Sequence, residues 1–443
     1  MRSGFFLMIF HNRVAASQLI RSGLWWKMEK LKTEELMIKE INGGVTAPKG
    51  FAAVGIAAGI KKGKKDMAMI YSEAPCQVAG TFTTNVVKAA PVKWDQSVVY
   101  GGQCVHAIVA NSGVANACTG EEGLGYCKKT AEKAAELFGI KPEQVLVAST
   151  GVIGAQIPID KICAGIETMK PMLGTGEASG TLAAEAIMTT DTVKKEIAVQ
   201  IELGGKTVTI GGMSKGSGMI HPNMCTMLSF VMTDAAISKK LLQKAHSAVV
   251  ADTYNMISVD GDTSTNDTAV VLANGLAGND EITEENESYQ KFFEALKYVN
   301  TYLAKHMAAD GEGATALFEV KVVGAKTKED AVTLSKSVIT SSLTKAAIFG
   351  HDANWGRILC AMGYSGVIFD PEKVDLYFES AAGKLKIIEN GVSTGYSEEE
   401  ATKILSEKAV TAIADMKMGT VQATAWGCDL TYDYVKINAD YRS

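Results

Sequence analysis

The chain has 443 residues, 47% of them hydrophobic and 21% charged, with a formal net charge of −5 at pH 7. That length suits two or three average domains or one large layered one, and the composition is that of an ordinary globular protein. An acidic balance without a long basic run excludes nucleic acid as a partner.

The first 27 residues differ from the rest. Arg2, Arg13 and Arg21 alternate with apolar pieces such as residues 5–10. The apolar run is too short to span a membrane, and no small-x-small cleavage site follows it. Trp25 and Trp26 are each encoded TGG, so the gene reads TGGTGG, one lysine codon, then ATG for Met28. That run resembles a ribosome-binding site. Residues 1–27 are therefore expected to be a non-native extension, with the cellular chain beginning at Met28.

The cluster Lys61-Lys-Gly-Lys-Lys65 reads as a solvated turn between two strands. A helix is expected over 122–139, stopped by Gly139, and a strand over 144–149. Strands 195–202 and 206–211 pair across Gly204-Gly205. Further helices are expected over 237–250, 284–308, 326–345 and 398–413, the last capped by Ser397. Strands are expected at 317–323, 374–379 and 431–437.

Eight cysteines form no C-x-x-C pair, and six dispersed histidines form no metal-ligand spacing. A reducing, cytoplasmic setting is expected, and no metal is called for. The acidic stretch Asp260-Gly-Asp262 to Asp267 fails the calcium-loop spacing after Asp262 and reads as a hydrogen-bonded loop.

The chemistry concentrates in Lys215-Gly-Ser-Gly-Met-Ile-His-Pro-Asn-Met-Cys-Thr226. Glycines at 216 and 218 and Pro222 make a turn ahead of an apolar run. A strained turn of this kind can hold the Thr226 hydroxyl against the Cys225 carbonyl. An N-to-O acyl shift then gives an ester that water hydrolyses, leaving Thr226 N-terminal. Its freed amine, with a pKa of about 7.7–8.0, can act as the base for its own hydroxyl.

This segment resembles the signature of the ornithine acetyltransferase/glutamate N-acetyltransferase family of arginine biosynthesis. So do Gly43–Phe51, Asn111–Gly120, Ser149–Gly154, Met188–Thr192, Ser258–Asp267, Gly311–Thr315, Asn354–Arg357 and Asn438–Ser443, all in family order. Cys225, His221 and Val114 depart from the family pattern, which has alanine, alanine and asparagine there.

The resemblance implies an α/β fold, a four-layer α-β-β-α sandwich of a self-cleaving N-terminal-threonine enzyme. It implies an α part, 28–225, and a β part, 226–443, retained as an α2β2 assembly. The implied reaction is double displacement: Thr226 takes acetyl from N-acetylornithine and glutamate takes it from Thr226. Thr150 and Gly151 match the oxyanion pair, worth about 2.7–4 kcal/mol per donor. Thr192, Lys215, Glu312, Asn438 and Ser443 match the substrate contacts. No cofactor is implied, although some members also use acetyl-CoA as co-substrate, and the motifs do not separate the two kinds. The other enzyme class with the same cleavage chemistry is an N-terminal-nucleophile amidohydrolase or aminopeptidase, in which water takes the acyl group.

Overall fold

The structure, a computed structural model, describes residues 38–221 and 227–440. Among them sixteen strands form two sheets. Before residue 222 these are β1 (Lys39–Ile41), β2 (Phe51–Ile56), β3 (Met67–Phe82), β4 (Val105–Val114), β5 (Val145–Val152), β6 (Lys195–Leu203) and β7 (Lys206–Lys215). After 226 come β8 (Leu228–Thr233), β9 (Ile257–Ser258), β10 (Thr268–Ala273), β11 (Leu317–Ala325) and β12 (Asp375–Ser380). The last are β13 (Gly383–Glu389), β14 (Val392–Ser393), β15 (Ala409–Asp415) and β16 (Val421–Cys428).

The first sheet runs β1-β6-β7-β8-β10-β3-β4-β5, with β2 also on β3. Strand β3 serves two stretches of it. Its end, Gln77–Phe82, pairs with β10, and its beginning, Met67–Tyr71, pairs with both β2 and β4. The register shifts between Tyr71 and Cys76, and there the sheet folds over. Alternation then decides what meets what. Leu228, Phe230 and Met232 of β8 and Val270 and Leu272 of β10 share one core with Ile108 and Ala110 of β4 and Leu146 and Ala148 of β5. The outer face of β4 and β5, with Val109, Val145 and Val147, packs on the helices Gly120–Phe138 and Ile159–Met169. The outer face of β8 and β10, with Val231 and Val271, packs on the helices Lys239–Asp252 and Glu287–Ala309. The second sheet, β14-β13-β12-β15-β11-β16-β9, joins that same core and is covered by the helix Lys328–Thr340.

Several expectations hold. The helix Gly120–Phe138 stops at Gly139, whose left-handed backbone (φ 66°) any other residue would strain. Strands β6 and β7 form the expected hairpin across Gly204-Gly205. Three expectations of secondary structure need correction. The stretch 326–345 holds two helices rather than one, because Ser341 leaves helical geometry and accepts the Thr344 N–H to start Ser342–Phe349. In 398–413 the helix ends at Leu405, and 409–415 is strand β15, whose Val410, Ala412 and Ala414 are buried at period two. Residues 432–437 lie in a helix, Tyr432–Ala439, because Thr431 caps it by accepting the Tyr434 N–H. The basic cluster does lie between β2 and β3. Lys61, however, is not a solvated side chain: its ammonium donates to the Met188 carbonyl at 2.7 Å, and burial lowers its pKa to about 8.

No described helix is long and apolar enough to cross a membrane. The expected extension, 1–27, lies outside the described residues.

Candidate active site

Thr150, Gly151, Lys215, Glu312 and Asn438 line one cleft. Its walls are completed by Ile153, Thr189, Thr190, Gly218, Met219 and the stretch Ser264 to Asn266. It holds about 560 Å³ of empty space, part of it open to solvent.

Thr150 and Gly151 sit near the end of β5. The turn is held from behind: Ser149 donates its hydroxyl to Asn111 Oδ1 at 2.7 Å, and Asn266 Nδ2 donates to the carbonyls of Ser149 (2.8 Å) and Ala115 (2.6 Å). Gly151 has φ 131°, and a Cβ there would fall 2.3 Å from the carbonyl carbon of Gly113. Only glycine allows that approach. The backbone next to Thr150 is thereby fixed, as a preorganised oxyanion donor requires.

Lys215 ends β7 and is 2% exposed. Its ammonium reaches Thr150 Oγ1 at 3.5 Å. Burial lowers its pKa, opposed chiefly by the Asp191 carboxylate. It is a desolvated amine facing a cleft, whose charged form a carboxylate ligand would favour. Glu312 is also buried. Its N–H donates to the Ser217 carbonyl at 2.9 Å, and its Oε2 accepts from Asn438 Nδ2 at 2.8 Å. One cation and one anion lining the same cleft fit a ligand bearing both charges.

The turn after Lys215 is strained at Met219 (φ 55°). Asp260 holds it there, accepting the N–H groups of Met219 (2.6 Å) and Ile220 (2.8 Å). His221 Nδ1 lies 3.2 Å from Ser258 Oγ, and burial, aided by Lys336, lowers its pKa. On the other side Met227 donates its N–H to Asp267 Oδ1 at 3.0 Å. Cys225 and Thr226 lie between these anchors, outside the described residues, as does Ser443. The stretch 260–267 is the hydrogen-bonded loop expected.

Thr192 does not line the cleft. Its N–H and hydroxyl are both taken by the Asp310 carboxylate. Thr189 and Thr190, three and two residues earlier, form the wall instead. The signal for them was their place in the same motif as Thr192. Asn266 carried a comparable signal, as the asparagine of Ser258–Asp267.

Comparison with known proteins locates these residues in a family. The ArgJ family model matches residues 52–443. The arginine biosynthesis bifunctional protein ArgJ of Caldanaerobacter subterraneus subsp. tengcongensis is 53% identical over 403 residues, 91% of this chain and 99% of that one. ArgJ 1 of Clostridium acetobutylicum is 54% identical over 403 residues, 91% of this chain and 98% of that one. Among solved structures, ArgJ of Bacillus halodurans is 47% identical, with a TM-score of 0.46 over 47% of this chain and 97% of that chain. Ornithine acetyltransferase of Mycobacterium tuberculosis, solved with ornithine, is 40% identical, with a TM-score of 0.39 over 43% of this chain and 100% of that chain.

Proposed function

The chain belongs to the ArgJ family, and from that premise we propose that it moves the acetyl group of N2-acetyl-L-ornithine onto L-glutamate in arginine biosynthesis. The products are L-ornithine and N-acetyl-L-glutamate. The observation that carries this reading is the convergence of Thr150, Gly151, Lys215, Glu312 and Asn438 on one cleft.

In this reading the chain breaks between Cys225 and Thr226, giving an α part, 28–225, and a β part, 226–443, that remain together as an α2β2 assembly. The two facing stretches of the first sheet, with their outer helices, make the four-layer α-β-β-α sandwich of an N-terminal-threonine enzyme. The freed Thr226 amine takes the hydroxyl proton as the oxygen attacks the acetyl carbonyl. The oxyanion is met by the Thr150 hydroxyl and the Gly151 N–H. The amide C–N bond breaks, the amine returns the proton to the leaving nitrogen, and ornithine departs. The glutamate amine then attacks the acetyl ester and regenerates Thr226. Lys215 takes the substrate α-carboxylate, and Glu312, steadied by Asn438, takes the ornithine δ-ammonium. Thr189 and Thr190 supply wall hydroxyls, Thr192 acts through Asp310, and Ser443 adds a contact beyond Asn438. Acetyl-CoA serves as a second acetyl donor by the same acyl-threonine, and no cofactor is retained.

The test is the intact mass of the protein and of Thr226→Ala, with acetyl transfer assayed on both. Two fragments meeting at 225/226 and transfer in the wild type, with one intact inactive chain in the variant, are expected. A single uncut but active wild-type chain would overturn the threonine-amine mechanism. Cleavage with release of free acetate and no transfer would make it a hydrolase.

A further inference from the structure

Behind the cleft lies a buried charge cluster centred on Lys195, to which the reaction as proposed gives no part. Lys195, 1% exposed, donates to Asp191 Oδ1 and to Asp310 Oδ2, both at 2.7 Å. Each carboxylate then holds other backbone. Asp191 Oδ2 accepts the Thr189 N–H at 3.0 Å, and its Oδ1 accepts the Gly216 N–H at 2.7 Å. Asp310 accepts the N–H groups of Thr192 (3.1 Å) and Val193 (3.4 Å). The Asp310 carbonyl accepts from Ser217 Oγ at 2.6 Å, and the Ser217 carbonyl accepts the Glu312 N–H. Three walls of the cleft are thus tied to one ammonium: the Thr189–Thr190 segment, the turn after Lys215, and the segment that presents Glu312.

We propose that Lys195 is the positioning residue of this cleft: shared between Asp191 and Asp310, it fixes where Thr189, Lys215 and Glu312 stand relative to one another. The inference rests on the acetyltransferase reading for its consequence in the reaction, although not for its geometry. Two features favour positioning over a merely structural pair. A buried ion pair is weak evidence of stability in itself, so its presence here calls for another reason. Its carboxylates also bond to cleft-wall backbone rather than only to the ammonium they share. Asp191 stays charged in this position. Burial opposes its charge, but Lys195, Lys215 and the Gly216 N–H hold its carboxyl well below the ordinary range. Lys195 and Asp191 precede residue 222 and Asp310 follows 226, so the cluster also spans the proposed break.

The experiment pairs hydrogen exchange with steady-state kinetics on the full chain, using Lys195→Met. Removing the ammonium is expected to speed exchange in peptides covering 188–193, 214–219 and 308–313 together, with β8 and β10 unchanged. The kcat per folded, cleaved molecule is expected to fall about 100-fold, the scale of an ångström misplacement of a reacting group. Where Lys195→Met does not fold, Asp310→Asn keeps volume and an acceptor oxygen while removing the charge, and the same two readouts apply. Exchange confined to one segment, or kcat within threefold of wild type, would overturn the proposal. Should the wild type transfer no acetyl, the acetyltransferase reading fails by itself, and joint exchange of the three segments still decides for or against Lys195.

Discussion

The carboxylate of Glu312 occupies the space that any side chain at position 218 would need: a Cβ on Gly218 would lie 2.2–2.4 Å from its carboxyl atoms. Gly218 is not among the glycines with positive φ. Its value is room rather than backbone freedom. Gly218→Ala is therefore expected to displace the flexible end of Glu312 and leave the fold in place. The acetylornithine kcat/KM should fall at least tenfold while the denaturation midpoint moves little. An unchanged kcat/KM would show that Glu312 does not meet the substrate.

Asn438 holds the other side of Glu312. A hydrogen bond to a charged group contributes about 1.5–3 kcal/mol. Asn438→Ala is expected to raise KM for acetylornithine roughly 10-fold or more by that energy. Deleting residues 438–443 is expected to abolish activity, since it removes this contact and Ser443 together. Full activity of that truncation would refute the role of the chain end.

Lys215 is expected to give the alkaline limb of the rate profile. Its pKa is lowered by burial, and only its protonated form holds a carboxylate. Activity is present below the lowered pKa and is lost as pH rises through it, at a pH below the ordinary lysine value of about 10.4. Measured as kcat/KM against pH, the limb should move upward in Lys215→Arg, whose guanidinium stays charged. A limb identical in both proteins would assign it to the substrate amine.

Asp267 predicts an opposite slope for stability. Burial pushes its carboxyl well above the ordinary range, against the Met227 N–H and Lys215. Between about pH 3.9 and that raised value the folded chain keeps a proton that the unfolded chain has released, so stability falls as pH rises across the window. Asp267→Asn cannot titrate and can retain the acceptor for Met227. Its denaturation midpoint relative to wild type should improve as pH rises through that window. Asp267→Ala strands the Met227 N–H at a cost of about 1–3 kcal/mol and is expected to slow cleavage at 225/226.

Legibility in the sequence followed the range of the forces involved. The helix ended by Gly139 and the hairpin at Gly204-Gly205 rest on local backbone chemistry, and both were readable. Strand β15 was not: Ala409–Asp415 is alanine-rich, and only its pairing with β11 and β12 makes it a strand. The helix Tyr432–Ala439 turned on one cap, Thr431, within a stretch holding Tyr432, Tyr434, Val435 and Ile437. At the site, the members of the cleft were named from ordered motifs, but their mutual placement was not. Thr192 was named a substrate contact from its motif, but its hydroxyl is taken by Asp310, 118 residues away, and Thr189 and Thr190 of the same motif line the cleft.

The order of strands in the first sheet has a further consequence. Strands β8 and β10, which follow residue 226, are inserted between β7 on one side and β3 on the other, both earlier in the chain. Before the proposed break, these strands find one another as parts of a single chain, at an effective concentration set by the loops. After it, the same sheet can be rebuilt only by collision of two fragments, neither of which carries the whole of the first sheet. Refolding changes from a first-order to a second-order process, and recovery after unfolding comes to depend on protein concentration. The uncut Thr226→Ala chain should refold at dilutions where the matured protein does not. With the proposed break, this topology calls for a chain that folds first and is cut afterwards.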